Sequence, residues 1–157
     1  MNKISKIFSL TIIFLLMISI ASAEELKLVQ KDSTSWVEVT GGATLTYNTV
    51  GPQFVYTLNG NVPSNKNYTL IYYKDQPNPT TKWGLIGAII VNNIVPTGTT
   101  NSISVSGSSN IGSIPQIDDL NYPSGAKIWL VPSSNINIVG NSMVSGGWHP
   151  ANYLFEE

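Results

Sequence analysis

From Glu24 onward no stretch of this chain keeps a helical period for ten residues, and that constrains the fold more than any other feature. What recurs is a period of two. In residues 53–58, Phe54, Tyr56 and Leu58 fall on one side, and Gln53, Val55 and Thr57 on the other. Residues 26–30 and 43–47 alternate in the same way. Such alternation of β-branched and aromatic residues marks a half-buried strand, because successive side chains leave a strand on opposite faces. Further strands are expected over residues 68–74, 85–91, 102–106, 126–131 and 135–139, with a short last one over 153–156. Between them lie Asn59-Gly60-Asn61, Pro77-Asn78-Pro79, Pro96-Thr97-Gly98 and Pro132-Ser133-Ser134. Gly and Asn supply positive φ and Pro presets negative φ, so these segments are turns.

Eight or nine short strands without a helix predict an all-β fold, an antiparallel β-sandwich in preference to a barrel. The first and last strands are expected at its edges. Residues 106–124 are the least regular part and are expected to form a loop pinned by Ile111, Ile114 and Ile117.

The first residues read as an address. Lys3 and Lys6 precede an apolar run over residues 7–20, followed by Ala21-Ser22-Ala23 and then Glu24-Glu25. This is the three-part pattern of a secretory signal peptide over residues 1–23, cleaved between Ala23 and Glu24. The run is shorter than the ~20 apolar residues that a membrane-spanning helix needs. Residues 24–157 are expected to be a single β-sandwich domain with no transmembrane segment, secreted or held at the extracellular cell surface.

Composition narrows the chemistry. The 157 residues are 42% hydrophobic and only 11% charged, with no Cys and a single His. Removal of Lys3 and Lys6 with the signal peptide leaves six Lys against nine acids, a net charge of −3, which is no footprint for nucleic acid. Without Cys there are no disulfides, thiolate metal sites or cysteine nucleophiles. His149 is the only base suited to a Ser-His-Asp triad, and no Gly-x-Ser-x-Gly elbow accompanies it. Asp118-Asp119 read as a solvated turn, with a weak Ca²⁺ site as the alternative. Neither a phosphate-binding Gly-rich loop nor an Arg fork is present. No enzymatic activity, cofactor or metal is expected.

Aromatic residues are the surplus: Trp36, Trp83, Trp129 and Trp148, with seven Tyr. Trp129 lies in an apolar run and belongs to the core. Trp36 is expected at the first sheet edge, and Trp148 against the last loop. Trp83 follows a Pro/Thr-rich loop and is the best candidate for exposure, and one of Tyr72 and Tyr73 must face outward. Trp83, Tyr73 and Trp148 are therefore the candidate ligand-binding residues. Asn67-Tyr68-Thr69 is an N-glycosylation sequon, with Asn67 as the acceptor.

Two resemblances add to this reading. The run from Val62-Pro63 to Tyr68, a corner that opens on a Tyr at the start of a strand, resembles the tyrosine corner of immunoglobulin-like and fibronectin type III sandwiches. There the hydroxyl bonds back to the backbone a few residues upstream. The order of Lys31-Asp32-Ser33-Thr34-Ser35-Trp36, Tyr68-Thr69-Leu70-Ile71-Tyr72-Tyr73, Asn121-Tyr122-Pro123-Ser124-Gly125-Ala126-Lys127-Ile128-Trp129 and Gly147-Trp148-His149-Pro150-Ala151-Asn152-Tyr153 resembles a group of secreted or cell-surface β-sandwich proteins of methanogenic archaea. It implies an exported domain without catalytic residues. The expected role is a non-enzymatic, surface-associated binding or structural module, its partner a cell-envelope polymer or another surface protein. The alternative is a carbohydrate-binding module that uses exposed Trp and Tyr.

Overall fold

A computed structural model describes residues 23–50, 52–73, 86–97, 101–111 and 127–157. In chain order the strands are β1 (Glu24–Lys31), β2 (Glu38–Val50), β3 (Gln53–Asn61), β4 (Tyr68–Tyr73), β5 (Ile86–Ile94), β6 (Ser102–Asn110), β7 (Lys127–Pro132), β8 (Ile136–Asn137), β9 (Ser142–Met143) and β10 (Leu154–Glu156). Short 3-10 turns occupy Ser133–Asn135 and Pro150–Asn152. The fold is all-β and antiparallel, as the alternation predicts.

Eight strands form one sheet in the order β5-β4-β7-β10-β1-β2-β3-β6, and β8 and β9 form a separate hairpin. The sheet coils until its two ends, β5 and β6, approach each other, so its concave face encloses the main core. Leu28 from β1, Leu45 from β2, Phe54 and Leu58 from β3, Leu70 and Tyr72 from β4, Ile90 from β5, Ile103 from β6 and Leu130 from β7 meet there. These are the inward positions of the alternation. At about 25 cal/mol per Å² of apolar surface removed from water, this burial is the main force holding the sheet closed.

The placement of the terminal strands corrects the expectation from sequence. β1 and β10 are not edges. They pair with each other in the middle of the sheet, Leu28 opposite Glu156 and Val29 opposite Phe155. β10 also pairs with β7, and β1 with β2. The burial accords with this: successive residues Leu28 and Val29, like Leu154 and Phe155, are buried, so both faces of the paired strands are covered. The edges are β5 and β6.

Two boundaries also differ. β6 runs to Asn110, beyond the expected end at 106, because its pairing with β3 continues through Gly107 and Ser108. The strand expected over 135–139 contracts to β8, since Asn137 turns the chain by accepting the Gly140 N–H at 3.0 Å. Tyr68 bonds back to the chain upstream, but to Ser64 and not to Val62: the Ser64 N–H donates to the Tyr68 hydroxyl at 3.2 Å, with Ser64 Oγ 3.0 Å away.

Candidate ligand-binding face

Three neighbouring strands build the site. β4, β7 and β10 lie side by side, and register puts Ile71 opposite Trp129, which is opposite Phe155. All three side chains point to the convex face. Together with Val131, Ile136 and Tyr153 they form a second apolar cluster, with Tyr73, Ile89 and Met143 packed against it. A sheet face that carries residues of this size must be covered, and the segment after β7 covers it.

Rings dominate the cluster. Tyr73 stacks on Trp129 with centroids 4.1 Å apart and planes 10° from parallel. Phe155 meets Trp129 edge-on at 5.1 Å. Trp148 comes down from the last loop onto Tyr153 at 5.6 Å, Trp129 at 5.9 Å and Phe155 at 6.2 Å. Trp36 joins from the loop between β1 and β2, at 5.6 Å from Phe155 and 6.1 Å from Trp148. Trp36 thus lies over the middle of the sheet, and not at an edge as expected, because β1 itself is an interior strand.

The Trp36 loop is held by one carboxylate. Asp32 Oδ1 accepts the N–H groups of Ser35 and Thr34 at 2.7 and 2.9 Å and the Ser35 hydroxyl at 2.9 Å. These bonds, the Ser35 N–H foremost, hold the Asp32 carboxyl below its ordinary value. The turn leaves Trp36 at φ 58°, the left-handed region that a bulky residue seldom adopts. Backbone in that region costs about 1–3 kcal/mol and persists where surrounding contacts fix it. Here those contacts are the rings of Phe155 and Trp148.

A buried polar network braces the opposite side. The Asn135 side chain donates to the Gly147 carbonyl at 2.7 Å and to the Tyr153 hydroxyl at 3.0 Å. That hydroxyl donates to the Gly147 carbonyl and accepts the His149 N–H at 3.3 Å. Burial pushes the Tyr153 hydroxyl above its ordinary pKa, opposed by the bonds from Asn135 and His149. The network fixes the turn over residues 144–147, which the Gly147 N–H closes onto the Val144 carbonyl at 2.9 Å. Gly146 takes φ +71° in that turn. At Gly147 a Cβ would lie 2.9 Å from the Val144 carbonyl oxygen, so the tight closure requires glycine.

Between this turn and the rings opens a cleft of about 440 Å³, lined by Tyr73, Met143, Val144, Ser145, Gly146, Gly147 and Trp148. Among the described residues that line it there is no carboxylate, ammonium or imidazole. Trp148 is 37% exposed and Trp36 48%. A second, smaller cleft of about 230 Å³, lined by Gln30, Gly41, Gly42, Asn61, Val62, Pro63 and Leu154, has no aromatic wall.

Of the residues expected to bind ligand, the structure brings Tyr73 and Trp148 to one cleft. Trp83 lies outside the described residues, as do Asp118, Asp119 and the segment before Ala23. Ala23 is exposed, and Glu24 begins β1 with its carboxylate accepting the Tyr47 hydroxyl at 2.6 Å. Asn67 is exposed and donates to Asn93 Oδ1 at 2.7 Å, whereas Thr69, the third residue of its sequon, is fully buried. The Thr69 hydroxyl is bonded to Asn92 and Ser133 at 2.8 and 2.9 Å. His149 contributes its backbone to the Tyr153 corner.

Sequence reasoning missed the parts played by Trp36, Asn135 and Gly147. Asp32 three residues ahead of Ser35 signals a turn, but not where the turn delivers Trp36. Among the described residues no three His, Asp or Glu side chains converge as a metal site, and no helix is long and apolar enough to cross a membrane. Comparison with known proteins finds no match to any family model, curated protein or solved structure.

Proposed function

We propose that this chain is an exported, non-enzymatic binding module of the cell surface, and that the convex aromatic face is the surface with which it binds. The observation that carries this is the convergence of Tyr73 and Trp148 on one open cleft, with a backbone-strained Trp36 packed on Trp148 and with Asn135 and Tyr153 bracing the turn beneath. Rigid aromatic rings exposed beside a concave surface are what a binding site needs and what a core avoids. Export is supported by the signal-peptide pattern over residues 1–23 and accords with the resemblance to archaeal surface proteins.

Co-sedimentation of the processed chain with isolated cell-envelope material tests the reading. Saturable binding that is lost in Trp148→Ala is expected. Binding that is absent, or unaffected by that substitution, overturns it.

A further inference from the structure

We infer that the cleft between Tyr73 and Trp148 takes an uncharged sugar ring of a neutral polysaccharide or glycan. This rests on the reading of the convex face as the binding surface and adds the chemistry of what it binds.

Three observations point to this ligand. The first is a preformed platform. Trp148 is in contact with four other rings, those of Trp36, Trp129, Tyr153 and Phe155, which fix its orientation and leave part of its surface open to the cleft. Tyr73 is likewise fixed by its stack on Trp129. The face of an aromatic ring is electron-rich and attracts the polarised C–H groups that line one side of a pyranose. Because the rings are already held, little side-chain freedom is lost on binding.

Charge is the second observation. Among the described residues that line the cleft, a phosphate, sulfate or uronate finds no cation and an ammonium finds no carboxylate. A neutral ligand is desolvated against that wall at the least cost.

The third is the rim. Ser145 and Gly146 form the outer lip, with an exposed hydroxyl and peptide groups that no bulky side chain shields. A Cβ on Gly146 would meet nothing within 4 Å among the described residues, so the lip is open at that point. Apolar walls with a few polar groups at one side suit a ligand with one C–H face and hydroxyls around its edge. An extended Pro-rich peptide also uses aromatic grooves. The cleft volume of about 440 Å³ is closer to that of a small-ligand pocket, so the peptide is the competing outcome.

The test is affinity electrophoresis of the processed chain through gels containing a neutral β-glucan, mannan or galactan. Dextran sulfate and a Pro-rich peptide serve as comparators, and each polymer is also tried as competitor in the envelope co-sedimentation. At least one neutral polysaccharide should retard the chain, with retardation unchanged at 0.5 M salt. Trp148→Ala should weaken it at least about tenfold, and Trp148→Phe should retain most of it. Ser145→Trp, which fills the cleft from an exposed position and leaves the ring cluster intact, should give the same loss in a chain whose fold is undisturbed. Retardation only by dextran sulfate, competition only by the peptide, or full sugar binding in Ser145→Trp overturns the inference. If envelope binding depends on Trp148 but no neutral polysaccharide competes, the sugar assignment fails and the binding face stands. If envelope binding ignores both substitutions, both fail.

Discussion

The chain uses the same local device twice, with different consequences. Ahead of β4, Tyr68 reaches back four residues to the N–H of Ser64, and ahead of β10, Tyr153 reaches back four residues to the N–H of His149. Both rings are fully buried, and both follow an Asn and a Pro-containing corner. The Tyr68 ring belongs to the main core inside the coiled sheet, and its hydroxyl meets only Ser64 among the bonds described above. Tyr153 belongs to the convex cluster, and its hydroxyl also ties Asn135 to the Gly147 carbonyl. The first corner closes the sheet. The second holds Trp148 at the cleft, so one motif serves packing in one place and an exposed aromatic face in the other.

The largest expected contrast lies in modification. At the first corner Asn67 is exposed while the Thr69 hydroxyl is buried and doubly bonded. An oligosaccharyltransferase that must read the Asn-x-Thr hydroxyl should modify a denatured chain or a peptide of residues 64–72 and leave the folded chain unmodified. Mass spectrometry of both reads this directly, and equal modification would show that the corner opens in the native state.

Next come the hydroxyls themselves. Tyr153→Phe deprives a buried network of its central member and should cost about 1–3 kcal/mol in urea unfolding. Tyr68→Phe removes bonds to a half-buried serine and should cost about 0.5–1.5 kcal/mol. Only Tyr153→Phe should shift tryptophan fluorescence, because only that hydroxyl braces Trp148. A shift in both would mean that the two corners are mechanically coupled.

Alkaline pH gives a smaller effect common to both. Burial raises the Tyr68 and Tyr153 hydroxyls above their ordinary value of 10.0 in the folded chain. The unfolded chain ionises first, so their contribution is complete below about pH 10 and declines as pH rises toward the folded values. Urea midpoints should therefore fall above that pH, and less so in either Phe variant.

The smallest effect concerns the loop opposite the second corner. The Asp32 carboxyl is held below its ordinary 3.8 by the Ser35 and Thr34 N–H groups. Its contribution is present above that value and is lost as pH falls through the depressed one. Trp36 should then loosen from Phe155, a change in near-UV circular dichroism that Asp32→Asn moves to neutral pH and that leaves the Tyr68 corner untouched.

How much of this could be read from the sequence follows from where each contact lies along the chain. β2 and β3 were legible because their apolar residues alternate and the core takes every second one. The Tyr68 corner was legible in kind because it is local, but the sequence pointed to Val62, six residues upstream, and the hydroxyl meets Ser64, four upstream. β6 beyond Ser106 was not legible, since Gly107, Ser108 and Ser109 carry no apolar signal and are ordered by pairing with β3. The central position of β1 and β10 was hidden for a similar reason: their partnership spans nearly the whole chain. Tyr73 and Trp148 could each be singled out as exposed aromatics, but Trp36 could not be joined to them, because its own left-handed backbone, at the end of the turn that Asp32 holds, delivers it to a distant strand.

The pairing of β1 with β10 also sets a schedule. A chain made or threaded from its N-terminus presents β1 first, yet β1 gains its second neighbour only when residues 154–156 emerge. Until then the gap between β1 and β7 stays open and the sheet cannot complete its curl. Long-range closure of this kind is slow, and it keeps every partial product from locking into the finished shape. The finished fold therefore becomes available only when its last strand has emerged, a delay that suits the export proposed for this chain.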